Sequence, residues 1–523
     1  MPRPGARWVV LAALVVLTGL GFAVRWRGAH RGCWIDELTT AWVVRDGFAD
    51  IPARAWLNNL SPPYYYVVAS AARLFGYHEW ALRLPSLVAG TLLVPSLFWV
   101  CLRFTGSWWA ALAVALFAAF DPYLVAFSLE VRPYALVLLA VVWQVFCFAR
   151  LFDGRARAGL ACGLLSGLLF HLHYLAALLF FSGELVFLVF VLFRAGRLSR
   201  QQAVPFVVAG LVAVAVALPA VPHFVYLLRR KDDLGFAAGR TLRQALTRFG
   251  VLDYVVWPTV AVVVLAATLR RGPTEPLPDG RRRLWVLFLG CWFLVPVLLA
   301  WTLTRTGLAR IDQGRYLLPS LPALLLAVGL AVGLCRRWAG WVYFLCAIVL
   351  LNIVVRSPLI EYATGRFPDY EGDEWDRAVA LVNAHGDTDP VFVESVLVES
   401  RWLHSSDEPL LREYLPLLRE YLLAPVTTLY PIDATRRDLR PLGWRTERFA
   451  PGDVVALRQA GGAWVLSRTG GGVTTSPAEW QARVASELSN NGLPCKVRLE
   501  GEFRGVLVAR LTIPDGEPTA PAP

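Results

Sequence analysis

Five short stretches of the chain set ionisable and aromatic side chains beside long apolar runs. "RGCWIDELTT" (31–40) puts Asp36 and Glu37 next to each other just past the first such run. "SPPYYY" (61–66) leads from Ser61 through two prolines into Tyr64 and Tyr65. "FDPYLVAFSLEVRPYAL" (120–136) carries Glu130, Arg132 and Tyr134, and "HLHYLAALL" (171–179) carries His171, His173 and Tyr174. "ARIDQGRYLLPSLPALLLAVG" (309–329) carries Arg310, Arg315 and Tyr316. A carboxylate can take a proton from a hydroxyl nucleophile. Arginine, helped by histidine, can hold a phosphate as charge grows on it. Aromatic faces suit sugar rings and the headgroup layer.

Each stretch also has a plainer structural reading. Asp36 would cap a helix "ELTTAWVV", with Glu37 at the positive end of its dipole. "SPPYYY" would be a turn followed by an aromatic belt. Glu130 and Arg132, two residues apart, would not face each other on a helix. Two histidines at the same spacing are poor helical metal partners, and Arg315 could snorkel to the interface.

The elements that must position these residues follow from composition. Hydrophobic residues make up 56% of the chain and charged residues 17%, more apolar than an ordinary soluble protein. Eleven segments read as membrane helices, at about 8–25, 83–103, 107–127, 132–150, 157–172, 174–193, 204–226, 250–270, 283–304, 316–334 and 338–356. The first carries Arg3 and Arg7 ahead of a full-length apolar run, which reads as an uncleaved span with its N-terminus in the cytoplasm. Alternate connections are then short, basic and cytoplasmic, in accord with the positive-inside rule. The net charge of +12 needs no nucleic acid, since no basic run is interleaved with aromatics.

The first outer loop, 26–82, reads as two amphipathic interfacial helices, "DELTTAWVVRDGF" and "PPYYYVVASAARLFG". Beyond residue 360 polarity rises. "PVFVES", "VTTLYPI", "GAWVLSR", "CKVRLEG" and "RGVLVARLTI" read as strands, and "DEWDRAVALVNAHG", "EPLLREYLPLLREYLLA" and "SPAEWQARVASELSNNG" as helices. The expected fold is therefore a polytopic α-helical membrane protein of about 11 transmembrane helices with a C-terminal extracytoplasmic α/β domain. The transmembrane module spans 1–360, the α/β domain 361–515, and a disordered tail 516–523. Cys33 and Cys495 alone among the cysteines fall outside the spans, so they could pair.

This topology puts all five stretches on one face of the bilayer. Charged groups near membrane depth tend to be functional. Carboxylates, arginines, histidines and tyrosines above an apolar bundle are the inventory that sugar transfer from a lipid phosphate would need.

The order of motifs resembles a family. A first span, "WIDELTTAW", "SPPYYYV", "RLPSLVAGTLLVPSLF", "DPYLVAFSLEVRPYAL", "HLHYLAALL" and "GRYLLPSLPALLL" together look like the bacterial branch of the C-type (GT-C) glycosyltransferases. These are similar to protein O-mannosyltransferases and to the aminoarabinose transferase of lipid A. The resemblance covers roughly 8–356. It implies a polyprenyl-phosphate-sugar donor, an extracytoplasmic acceptor (glycan, lipid or protein hydroxyl) and transfer of a hexose or pentose with inversion, in a multi-pass protein of the plasma membrane.

By that resemblance Asp36 is the base or acceptor-orienting carboxylate, and Glu37 supports it. Glu130 contacts the acceptor or Arg132. Arg132, Arg315, Tyr134 and Tyr316 hold the donor phosphate, and His173, Tyr174, Tyr64 and Tyr65 line the site. The family's proline motif often carries histidine where Ser61 stands here. Nothing in the sequence requires a cofactor, and a divalent cation stays unassigned. Two other classes are open: a lipid-linked-sugar transporter or flippase, which would show repeats and polar residues at the midplane, and a membrane sensor or scaffold without catalysis.

Overall fold

The computed structural model describes residues 4–195, 199–230, 239–249, 279–333, 358–367, 372–404, 409–444, 448–469 and 476–514. The expected spans at 250–270 and 338–356 and the tail 516–523 lie outside these residues. The chain divides into two compact units. One comprises Met1–His30, Leu60–Val67 and Arg83–Pro368, and the other Arg31–Asn59, Val68–Leu82 and Asp369–Pro523. Most of the first loop, which the sequence placed with the spans, thus groups with the C-terminal residues.

In the first unit the helices are α1 (Pro4–Gly28), α5 (Glu79–Thr105, from Arg83), α6 (Trp108–Phe120), α7 (Pro122–Ser128), α8 (Tyr134–Leu151), α9 (Ala156–Leu172), α10 (Tyr174–Ala195), α11 (Arg200–Ala217) and α12 (Val221–Arg229). Asp279–Arg305 and Leu321–Gly333 follow. Seven of the described helical segments are long and apolar enough to cross a membrane. The shorter apolar helix α9 and a bent pair, α6 with α7, answer two further expected spans.

The bent pair corrects the expectation of one continuous helix over 107–127. The chain turns by 54° between α6 and α7. Asp121 starts the second helix, its Oδ1 accepting the Leu124 N–H at 2.9 Å, and Pro122 has no N–H to continue the first. A break at membrane depth leaves carbonyls that must find donors. Arg25, fully buried at the end of α1, supplies them: it donates to the carbonyls of Ala118 and Ala119 at 3.1 and 2.9 Å and to Ser128 Oγ at 3.2 Å. On α9, Gly159 and Gly163 lie against α11, where a Cβ would come within 2.5 Å of the Pro205 carbonyl and 2.6 Å of that of Ala209. Small residues four apart let two membrane helices touch along their backbones.

The second unit contains a five-stranded sheet in the order β2-β1-β3-β5-β4. The strands are β1 (Val391–Glu394), β2 (Leu439–Pro441), β3 (Gly462–Arg468), β4 (Lys496–Phe503) and β5 (Val506–Thr512). β1 runs parallel to both neighbours, while β5 runs antiparallel to β3 and β4. Four of the expected strands are present. "VTTLYPI" is not one of them. Thr427 and Thr428 return their hydroxyls to the carbonyls of Leu423 and Ala424, which holds a helical turn at Ala424–Thr427 despite the β-branched run.

The same unit holds α2 (Ile35–Val44), α3 (Ile51–Leu57) and the later part of α4 (Pro62–Phe75). The sequence read α2 as an amphipathic helix on the membrane surface. Instead every residue of α2 except Asp36 is buried. Its apolar residues go all the way round, so no single face could satisfy them. Trp42 packs edge-on against Tyr421 at 5.4 Å, and Arg54, which donates to the Trp42 carbonyl at 3.0 Å, pairs with Asp46. Cys33 and Cys495, both in this unit, are not joined in a disulfide.

Candidate functional site

The ends of four apolar helices in the first unit bring together five of the expected site residues. Arg132 lies in the irregular turn between α7 and α8, where Ser86 of α5 fixes it by donating to its carbonyl at 2.9 Å. Tyr134 opens α8. Its ring lies 5.9 Å from that of His173, which sits between α9 and α10. Tyr316 approaches the same imidazole at 5.3 Å, and the Arg315 guanidinium stacks over the Tyr316 ring at 5.4 Å. Arg315 Nε also donates to Gln313 Oε1 at 2.8 Å.

His173 is the electrostatic centre of this group. Burial, then the charges of Arg132 and Arg315, push it down to about 3. Its Nδ1 accepts the Ala176 N–H at 3.4 Å, which caps α10 and leaves the ring proton on Nε2. The result is a neutral imidazole donor between two cations and two phenols. An anion is the ligand such an arrangement favours.

Arg248, which the sequence reading did not single out, lies near the segment that leads to Arg315. Its Nη2 bonds both the carbonyl and the carboxylate of Asp312, while Nε and Nη1 are buried with no partner among the described residues. Thr304 Oγ1 accepts the N–H groups of Ile311 and Asp312 at 3.0 and 2.9 Å, so this segment is held from both sides. The signal in the sequence is an arginine in a loop that the expected topology places outside, where the positive-inside rule disfavours it.

The other expected residues are placed differently. Glu130 is half-buried in the same turn as Arg132. Tyr64 and Tyr65 are buried and meet edge-on at 5.7 Å. Tyr174 was expected to line the site beside His173, but its hydroxyl lies 3.0 Å from His223 Nδ1, within a cluster of Phe170, Ala220 and Phe224. Consecutive residues at the start of a helix point about 100° apart, which separates the two. Ser61, at the position of the family's histidine, is not without an imidazole: its hydroxyl donates to His171 Nδ1 at 2.8 Å. His171 Nε2 in turn donates to the Val216 carbonyl at 2.8 Å.

Asp36 and Glu37 belong to the second unit. Asp36 does not cap α2, as the sequence suggested. Trp34 occupies the cap position, Glu37 Oε2 accepts the Trp34 N–H at 3.2 Å, and Asp373 Oδ2 accepts that of Ile35 at 3.3 Å. Glu37 is thereby committed to the helix start. Asp36, half-buried at the second helical position, offers its carbonyl to the hydroxyls of Thr39 and Thr40. Among the described residues no three His, Cys, Asp or Glu side chains converge on a metal position.

Residues 59–223 match the model of the dolichyl-phosphate-mannose-protein mannosyltransferase family. No curated protein matches the sequence. Among solved structures the chain is similar to ArnT from Cupriavidus metallidurans in the apo state, with 15% identity, a TM-score of 0.57, and coverage of 97% of this chain and 98% of that one. It is also similar to ArnT from the same organism bound to undecaprenyl phosphate, at 14% identity, TM-score 0.50, and coverage of 95% and 97%. This chain is a polytopic membrane protein with the fold of ArnT, and its residues 59–223 carry the pattern of the dolichyl-phosphate-mannose-protein mannosyltransferases.

Proposed function

We propose that this protein is an inverting glycosyltransferase of the plasma membrane that moves a sugar from a polyprenyl-phosphate donor to an extracytoplasmic acceptor. The carrying observation is the neutral His173 held between Arg132 and Arg315 with Tyr134 and Tyr316 around it. That group suits a phosphate monoester leaving with two negative charges. The match of residues 59–223 to a lipid-phosphate mannosyltransferase family and the undecaprenyl phosphate bound to ArnT support a polyprenyl carrier.

In the reaction the acceptor oxygen forms a bond to the anomeric carbon as the bond from that carbon to the phosphate oxygen breaks. Asp36 takes the acceptor proton. The bonding pair leaves with the polyprenyl phosphate, whose charge Arg132 and Arg315 bind and to which His173 Nε2–H and the tyrosine hydroxyls donate. Arg248, whose buried Nε and Nη1 have no partner among the described residues, is a further cation for the same phosphate. Glu130 orients the acceptor or Arg132. The residues 361–515 stand on the extracytoplasmic side.

The test is transfer by the purified protein from a panel of polyprenyl-phosphate hexoses and pentoses to a cell-envelope extract, with Asp36→Asn and Arg132→Ala alongside. Loss of transfer in both is expected. Wild-type transfer by both variants overturns the reading.

A further inference from the structure

Asp36 can act as a base only if something aims it. In the unit that holds residues 31–59 and 369–523, the backbone leading into α2 is held chiefly by the C-terminal half of the chain. The Cys33 N–H donates to the Tyr430 hydroxyl at 2.9 Å. The Ile35 N–H donates to Asp373 Oδ2 at 3.3 Å, and only the intervening Trp34 N–H is satisfied locally, by Glu37. Asp373 is itself buried and fixed. Arg468, the last residue of β3, donates to Oδ2 at 2.8 Å. Gly505, at φ +74° in the turn between β4 and β5, lies so close that a Cβ would stand 2.4 Å from Asp373 Oδ1. The next residue, Glu374, donates its N–H to the Arg504 carbonyl at 2.8 Å.

We infer that Asp373 is a positioning residue for the transfer reaction: anchored by Arg468 and the 504–505 turn, it fixes the first turn of α2 and so the place of Asp36. This gives the C-terminal sheet a part in catalysis without a contact to substrate. It rests on the reading of Asp36 as the base. A carboxylate at the N-terminus of a helix engages the positive end of its dipole as well as one of its orphan N–H groups. Asp36 is the residue immediately after the N–H that Asp373 holds. A release of that bond lets the first turn fray, and a displacement of about 1 Å in a reacting group is enough to cost on the order of 10²-fold in rate.

The inference is tested in the full-length protein, in a Cys495→Ser background, with the panel donor that the wild type uses best. Two readouts are taken: kcat against donor KM, and the rate at which a maleimide labels Cys33, which is fully buried beside the anchored backbone. Asp373→Ala is expected to lower kcat by roughly 30–100-fold with donor KM little changed, and to open Cys33 to labelling. Asp373→Asn, whose amide oxygen still accepts the Ile35 N–H, recovers most of kcat and most of the protection. Arg468→Gln falls between them in both readouts, and it and Asp373→Asn carry the test should Asp373→Ala not fold.

Wild-type kcat in a variant whose Cys33 has become reactive overturns the inference. So does a fall in kcat with Cys33 still protected. Asp36→Asn separates the two levels. If it is inactive while Asp373→Ala turns over normally, this inference alone fails. If Asp36→Asn keeps wild-type kcat, the reading of Asp36 fails and the inference falls with it.

Discussion

Arginine is used in opposite ways in the two units. In the sheet-containing unit it meets carboxylates. Arg448 bonds Glu394 at 2.8 Å and Glu487 at 2.9 Å, Arg510 bonds Asp387 and Asp389, and Arg440 bonds Asp438 and Asp453. At the helix ends of the first unit, Arg132 and Arg315 bear on one imidazole, and Arg248 bonds a single carboxylate while its Nε and Nη1 have no partner among the described residues. The first pattern neutralises charge and makes a unit cohere. The second sets positive charge beside a neutral imidazole, where an anion would find cations and donors together. Removing an arginine should therefore cost stability in one place and turnover in the other.

Arg448→Ala should have the largest effect. Glu394 keeps its bonds from Ser467 Oγ and Trp480 Nε1 but becomes a buried carboxylate without a cation, and the half-buried Glu487 loses its arginine as well. Breaking a buried pair this way costs about 3–5 kcal/mol. Limited proteolysis of the purified protein should show cleavage after residue 372 at temperatures where the wild type resists. Arg132→Ala should show the reverse emphasis: transfer falls by about 10²–10³-fold, while the melting temperature falls less than in Arg448→Ala. A large loss of melting temperature in Arg132→Ala, with transfer per folded molecule retained, would erase the contrast.

How far the sequence foretold this depends on the range of the interactions. The spans were legible because each is a local apolar run, and Arg132, His173 and Arg315 were legible as a group because topology alone puts them at one set of helix ends. The strands β1, β3, β4 and β5 carry their own patterns. What the sequence hid is non-local. Ile35 and Asp373 are 338 residues apart, and Cys33 and Tyr430 are 397 apart. Nothing within the first loop says that its helix will be buried against distant residues and not laid on a membrane. The break at Asp121 was hidden for another reason: Asp-Pro in an apolar run signals a turn, but the donor that makes the break tolerable is Arg25, on another helix and 94 residues from Ala119. Tyr174, named by the resemblance beside His173, turns its hydroxyl to His223, a contact between residues 49 apart in the chain.

Arg25 is a third use of arginine, against carbonyls, and Gly90 is the position that exposes it. A Cβ at Gly90 would stand 1.9 Å from Ser128 Oγ and 3.2 Å from Arg25 Nε. Gly90→Ala must therefore push apart Ser128 and the guanidinium that serves the broken span. Overpacking of this kind costs about 1–3 kcal/mol, visible as a lower melting temperature in detergent. Adding Ser128→Ala should restore part of the loss, since it removes the clashing atom. A double variant no more stable than Gly90→Ala would mean that the helix backbones, and not this polar knot, set the spacing.

The smallest effect is a pH dependence, and it bears on whether the two cations are as close to His173 as their influence implies. Burial and the charges of Arg132 and Arg315 lower His173 from its ordinary 6.5 to about 3 in the folded protein. Between those values the unfolded chain binds a proton that the folded one does not. Stability from this residue is therefore complete above about pH 6.5 and is lost progressively as pH falls toward 3. The wild type should lose more melting temperature between pH 7.5 and pH 5 than His173→Gln, which cannot titrate. Addition of undecaprenyl phosphate should narrow the difference, because an anion beside Arg132 and Arg315 offsets their charges, which lower His173 after burial has done so. If His173→Gln keeps the full wild-type slope, another group titrates there, and the positive character of these helix ends must be sought in Arg248.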